Sequence, residues 1–276
     1  MHRQRPSGGL GAGHPRPDGA LKRLGATLPL LALLASACAT GGTGIPPNRF
    51  GLPVVDDAGL YRRIVARDPA QLLVPVRRLA PGIRLDVRYA TPDNFMKERL
   101  YPAPAAMLRC EPAQALAAVQ RDLEAQGLGL KVFDAYRPYS VTVRMWDKWR
   151  NPDYVADPAK GSRHNRGAAV DLTLVELATG RELEMPTPYD DFTQAASSTY
   201  PDASEAARRN RAILREAMEK HGFVVLPSEW WHFDYAGWER YALMDLPHAA
   251  LEPPPGNCYR RDLRASRACD AMTNAR

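Results

Sequence analysis

Seven positions separate His164 from Asp171 in Ser162-Arg163-His164-Asn165-Arg166-Gly167-Ala168-Ala169-Val170-Asp171. An odd interval places two side chains on opposite faces of a regular strand. The two can meet only if the chain turns between them, and Gly167 is the residue whose backbone permits that turn. The spacing therefore predicts a loop carrying His164 that feeds a strand carrying Asp171. Glu229-Trp230-Trp231-His232 poses the same problem over three positions. It is met if Glu229 lies just before a strand or at a bulge.

Two imidazoles and a carboxylate are the donors of many catalytic zinc sites, which keep a fourth position for water. The chain has six histidines. His2 and His14 lie in or near a basic leader, His221 follows a predicted helix, and His248 precedes a proline-rich exit. His164 and His232 are the two that sit in chemically suggestive segments. A histidine near a glycine is more commonly a core or surface residue, so spacing alone does not establish a site.

The remaining pattern is mixed. Ile83–Tyr89 and Ala168–Leu177 read as strands, as do Leu130–Ala135, Phe223–Leu226 and His232–Tyr235. Glu111–Gln126, Tyr139–Arg150 and Ser204–His221 read as helices, the first opening near Pro112 and stopping at Gly127. Met145, Trp146 and Trp149 are expected to point inward from the second. Strands and helices do not alternate regularly, which favours an α+β fold over a doubly wound sheet.

The net charge of +6 raises the question of nucleic-acid binding. Arg3, Arg5, Arg16, Lys22 and Arg23 against Asp18 give residues 1–37 a net +4, leaving only +2 for the other 239 residues. No basic stripe interleaved with aromatics follows, so a nucleic-acid partner is not expected. After Lys22-Arg23 comes the apolar run Leu24–Ala37, short for a membrane span but suited to a secretory signal. It ends in Ala35-Ser36-Ala37-Cys38, which resembles a lipobox with Cys38 as the lipid-bearing residue. The same residues would serve ordinary signal peptidase, and an uncleaved tether is a third reading. All three export the body of the protein, to the periplasm or to an outer-membrane anchor.

The expected organisation is a signal peptide over 1–37, a flexible Gly/Pro-rich tether over 38–60, one domain over 61–251 and a tail over 252–276. In an oxidising compartment, Cys258 and Cys269 are expected to close a short loop, with Cys110 left as a buried thiol.

The motif S-x-H-x-x-G-x-A-x-D followed by E-W-W-H resembles the D-alanyl-D-alanine dipeptidases, the family of the vancomycin-resistance dipeptidases. Asp86-Val87-Arg88-Tyr89-Ala90-Thr91 with Asn94-Phe95, and Asp134-Ala135-Tyr136-Arg137-Pro138, extend the similarity over roughly residues 75–240. The resemblance implies an α+β single domain, with a central, mostly antiparallel sheet flanked by helices, of the hedgehog/D,D-peptidase type. It also implies one Zn2+ per chain on His164, Asp171 and His232, with Glu229 as general base and Arg137 as oxyanion partner. Asp190, in Pro188-Tyr189-Asp190-Asp191-Phe192, matches the acid that receives the substrate ammonium. Ser162 matches a substrate-binding hydroxyl, and Tyr89 and Phe95 are candidate pocket walls.

The implied activity is hydrolysis of D-alanyl-D-alanine or a related dipeptide in cell-wall turnover. The alternatives are a D,D-carboxypeptidase acting on peptidoglycan stem peptides and a cell-wall peptide-binding module without turnover.

Overall fold

Apolar alternation along Ala169–Glu176 places Val170, Leu172 and Leu174 on one side of a strand and Asp171 and Thr173 on the other. In the computed structural model, which describes residues 45–251 and Cys258, that strand is the middle of a five-stranded sheet. The elements in chain order are β1 (Val54–Val55), α1 (Ala58–Arg67), β2 (Leu73–Pro75), α2 (Val76–Leu79), β3 (Arg84–Leu85), β4 (Met107–Arg109) and α3 (Cys110–Glu124). There follow β5 (Leu128–Asp134), α4 (Tyr139–Lys148), β6 (Ala169–Glu176), α5 (Glu205–Glu219), β7 (Phe223–Leu226), β8 (Glu229–Tyr235) and β9 (Leu243–Met244).

The main sheet has the order β3-β5-β6-β8-β7. Only β3 runs parallel to its neighbour, so the sheet is mostly antiparallel, as expected. Two small pairs, β1 with β9 and β2 with β4, complete the strands.

One face of the sheet is buried under helices. Val170, Leu172 and Leu174 share a core with Leu130 and Val132 of β5, Leu116, Val119 and Leu123 of α3, and Leu214 and Met218 of α5. Leu116, Val119 and Leu123 are wholly buried at the helical spacing read from the sequence. Burying each contributes about 1.5–3 kcal/mol. Helix α5 begins with the Ser204 side chain accepting from the Ala207 amide, the capping its sequence predicts. The opposite face carries Asp171 and His232.

Several expectations need correction. The alternating segment Ile83–Tyr89 is a strand only at Arg84–Leu85; Arg88–Ala90 form a 3₁₀ turn that buries both Tyr89 and Ala90. The alternation arises because Val87 and Tyr89 enter a second apolar cluster with Met96, Tyr101 and Met145, not because the strand continues. Helix α4 stops at Lys148, so Trp149 leaves the helical phase and is 44% exposed, while Met145 is buried as expected. Ordered chain begins before Tyr61, because Val54 and Val55 are buried in β1 against β9.

The cysteine pairing differs as well. Cys110 bonds Cys258, with Cα atoms 5.7 Å apart, so Cys110 is not a free thiol and Cys258 does not bridge to Cys269. Closeness in sequence favoured the short loop, but the fold returns the tail to the first turn of α3, where Gln114 Nε2 also donates to the Cys258 carbonyl. The signal peptide, Cys38 and Cys269 lie outside the described residues.

Candidate active site

Strand register makes half of the site. In the antiparallel pair β6–β8, Asp171 is directly opposite His232, and across β5–β6 it is opposite Asp134. Side chains at opposed positions share a face, so this row points away from the core shared with α3 and α5. A register shift between Val225 and Leu226 lets β8 bulge, and Glu229 joins His232 on the same side despite the three-residue interval.

The turn predicted at Gly167 makes the other half. His164–Arg166 form a 3₁₀ turn that ends at Gly167, which takes the left-handed conformation with φ 67° and ψ 31°. A side chain there would run into Leu73 Cδ2. The turn is fastened from within by Asn165, whose Nδ2 donates to the Arg137 carbonyl at 2.9 Å and to Thr142 Oγ1 at 2.8 Å. The Arg137 amide in turn donates to the His164 carbonyl at 3.1 Å. Asn165 lay within the motif, but only its wholly buried position between the two loops shows that it locks them together.

The donor atoms then converge. His164 Nε2 is 3.1 Å from His232 Nδ1 and 3.3 Å from Asp171 Oδ1, and His232 Nδ1 is 2.9 Å from Asp171 Oδ1. The far side of each ring fixes its tautomer. His164 Nδ1 lies 2.6 Å from the Ala135 carbonyl, which can only accept, so that nitrogen carries the proton. His232 Nε2 lies 3.0 Å from Asp234 Oδ1, which likewise accepts from a ring N–H. The second nitrogen of each ring faces the other ring and Asp171 Oδ1. Three such atoms converge stably around a cation, and the outer partners are those of metal-binding histidines. The residues fit a metal.

The surroundings are ionisable and largely buried. Burial works to raise the Asp171 carboxyl, but His164 and His232 outweigh it and hold the group well below the usual carboxylate range. Glu229 is also buried and makes no side-chain hydrogen bond among the described residues; its Oε2 is 3.9 Å from His232 Nδ1. Burial pushes its carboxyl up to about 7, against the His232 charge and with help from Asp171. Such a group exchanges protons near neutrality.

Arg137 is oriented by Asp134, whose Oδ2 accepts from Nε at 2.9 Å and pairs with Nη2 at 2.8 Å. Tyr101 donates to the other Asp134 oxygen at 2.9 Å. The guanidinium lies over the Tyr89 ring, 5.1 Å from its centre, and 3.8 Å from Asp171 Oδ2. Anchoring by Asp134 and exposure to the cavity thus coexist in this one side chain.

Further along the cavity, Asp190 adopts φ 60°, an uncommon conformation for a residue with a side chain. Tyr89 Oη donates to its carboxylate at 3.1 Å. Burial first, then the Asp171 charge, hold the Asp190 carboxyl well above its ordinary range. Among the described residues it has no salt-bridge partner within 4.0 Å. Ser162 Oγ accepts from the His164 amide at 3.2 Å, which leaves the hydroxyl proton free to donate. Phe95 packs edge-on against Tyr89.

All nine residues named from the sequence line one cavity of about 980 Å³. Two residues that the sequence reading missed stand behind them. Asp234 follows His232 by two along the strand, a spacing that could have suggested it. Tyr189, beside Asp190, donates to Asp171 Oδ2 at 2.9 Å.

The family model for D-Ala-D-Ala dipeptidases, peptidase family M15, matches residues 69–249. The chain belongs to this family. It is therefore a metallopeptidase. The D-alanyl-D-alanine dipeptidase of Escherichia coli (strain K12) is 34% identical over 181 residues, covering 66% of this chain and 88% of that protein. The D-alanyl-D-alanine dipeptidase of Enterococcus faecalis (strain ATCC 700802 / V583) is 31% identical, over 60% of this chain and 89% of the relative. Among solved structures, the LdcB LD-carboxypeptidase aligns with a TM-score of 0.33 and 21% identity, over 48% of this chain and 61% of its own. Membership rests on the sequence match, since structural overlap at that level is partial.

Proposed function

We propose that the protein is a zinc-dependent dipeptidase that hydrolyses D-alanyl-D-alanine or a closely related dipeptide. The observation that carries this reading is the convergence of three potential donor atoms beside the buried Glu229, at one end of a cavity that also holds the buried carboxyl of Asp190. His164, Asp171 and His232 would hold the metal. Zinc on such a set supplies Lewis acidity toward the scissile carbonyl and lowers the pKa of water toward about 7.

The chain's own residues supply the remainder. Glu229 takes the proton of the attacking water and returns it to the departing amine, work suited to a carboxyl lifted toward neutrality by burial. Arg137, aimed by Asp134, offers a fixed charge to the oxygen that becomes negative. Asp190 receives the substrate ammonium, and the cation relieves the burial of its carboxylate. Ser162 donates its free proton to the substrate, while Tyr89 and Phe95 wall the pocket.

The test is incubation of the purified chain with D-alanyl-D-alanine, with and without zinc, while free alanine is measured. Zinc-dependent release is expected, and a zinc-loaded protein that releases none would overturn the reading.

A second reading, a D,D-carboxypeptidase acting on peptidoglycan stem peptides, is supported by the cavity's volume. About 980 Å³ lies at the upper end of the ~300–1,000 Å³ of small-molecule sites and exceeds what a two-residue peptide fills. Asp190→Ala separates the two. Selective loss on substrates with a free amino terminus supports the dipeptidase, and equal loss on blocked and free substrates supports the carboxypeptidase.

We also infer that the protein is exported, through the leader that ends at Ala35-Ser36-Ala37-Cys38, with Cys38 as a lipid anchor. The Cys110–Cys258 bond supports this, because such bonds persist in oxidising compartments. A reporter fused after residue 45 should appear outside the cytoplasm, and cytoplasmic retention would sink the inference.

A further inference from the structure

Asp171 has two oxygens and two sets of claimants. Oδ1 faces both imidazole nitrogens, at 2.9 Å and 3.3 Å. Oδ2 accepts from Tyr189 Oη at 2.9 Å, and Arg137 Nη2 stands 3.8 Å from the same oxygen. Tyr189 thus occupies the Asp171 oxygen that Arg137 would otherwise compete for. With its hydroxyl removed, the carboxylate could rotate toward the guanidinium and draw Oδ1 away from the histidines.

The Tyr189 ring is held independently of that bond. It stacks on Phe133, with centroids 4.6 Å apart and planes at 21°, and meets Trp231 edge-on at 5.5 Å. A phenylalanine would keep both contacts and lose only the donor.

The hydroxyl also marks a boundary within the site. Tyr189 Oη and Tyr89 Oη face each other at 3.3 Å. Each hydroxyl has a single proton, and each has a carboxylate at shorter range: Asp171 for Tyr189 and Asp190 for Tyr89. Their protons are accordingly directed to opposite ends of the cavity, one toward the donor cluster and one toward the proposed ammonium site.

We propose that Tyr189 is a positioning residue that presents Asp171 to the metal through one oxygen, and that it acts on metal affinity separately from substrate-amine recognition, which Tyr89 serves through Asp190. This rests on the zinc-dipeptidase reading above. It implies that two neighbouring tyrosine hydroxyls, in contact with each other, control different parameters.

The experiment compares the full chain with Tyr189→Phe and Tyr89→Phe. Zinc affinity is measured by competition with a chromophoric chelator, and KM for D-alanyl-D-alanine is measured at saturating zinc. Tyr189→Phe should weaken zinc binding about tenfold or more, the usual effect of removing a partner behind a ligand. Its KM should stay within about twofold of the unaltered protein. Tyr89→Phe should raise KM and leave zinc affinity unchanged.

Unaltered zinc affinity in Tyr189→Phe overturns the proposal. So does equal weakening of zinc in both variants, which would mean general loosening of the aromatic cluster. If the unaltered protein binds no zinc, the functional reading and this inference fall together. If it binds zinc without hydrolysing the dipeptide, only the functional reading falls, and the chelator competition still decides the role of Tyr189.

Discussion

Asp171 and His232 stand directly opposite each other on neighbouring antiparallel strands, and Asp171 Oδ1 lies 2.9 Å from His232 Nδ1. Sheet register therefore sets the separation of these two donors. The third donor, His164, arrives on a turn that ends at a left-handed glycine. Rigid strands contribute two of the three donor atoms, and the third depends on one loop.

Glu229 and His232 are separable. Glu229→Gln keeps the shape of the side chain and removes the base, so hydrolysis should fall about 10²–10⁴-fold with zinc content unchanged. His232→Ala removes a donor, so zinc measured by atomic absorption after dialysis should fall well below one per chain. Near-normal turnover in the first variant, or full zinc in the second, contradicts these roles.

Arg137 should show two kinds of loss. Arg137→Lys keeps a charge but cannot reproduce the Nε and Nη2 contacts to Asp134, so kcat should drop about 10²–10³-fold. Arg137→Ala strands the buried Asp134 carboxylate and should also destabilise the fold by about 3–5 kcal/mol. Chemical denaturation of the two variants, beside their kinetics, distinguishes the effects.

Gly167→Ala should damage the site from a distance. A left-handed alanine costs about 1–2 kcal/mol, and its methyl group meets Leu73 Cδ2. The turn must shift, His164 moves with it, and zinc affinity should fall along with thermal stability. Unchanged zinc affinity would show that the loop absorbs the change elsewhere.

The Cys110–Cys258 bond joins residues 148 apart in sequence. Closing so long a loop is worth about 5 kcal/mol in the chain-entropy model, and about 2–4 kcal/mol is typical of measured bonds. Cys258→Ser should lower the denaturation midpoint accordingly, while kcat under native conditions stays close to normal. Reduction with dithiothreitol should reproduce the shift in the unaltered protein and have no effect on the variant.

The ligand histidines, Asp171, Glu229, Arg137 and Asp190 were all legible as residue types in ordered motifs, and the helices α3, α4 and α5 were legible from apolar periodicity and end signals. Both are local properties, written in residues close together along the chain. Gly167 also announced its turn, because left-handed backbone has few occupants other than glycine.

Other features are decided by residues distant in sequence. Tyr189 donates to Asp171 across 18 positions, and Tyr101 donates to Asp134 across 33. Cys110 meets Cys258 because the tail returns to α3, where sequence distance favoured Cys269. The segment at Val87–Tyr89 alternates like a strand, yet turns because its apolar residues find a separate cluster. Residue chemistry and local periodicity were determined by the sequence alone. Which hydroxyl reaches which carboxylate, and which thiol reaches which, was decided only by the packing of the sheet and its loops, since those contacts form between segments whose spacing along the chain carries no information about distance in space.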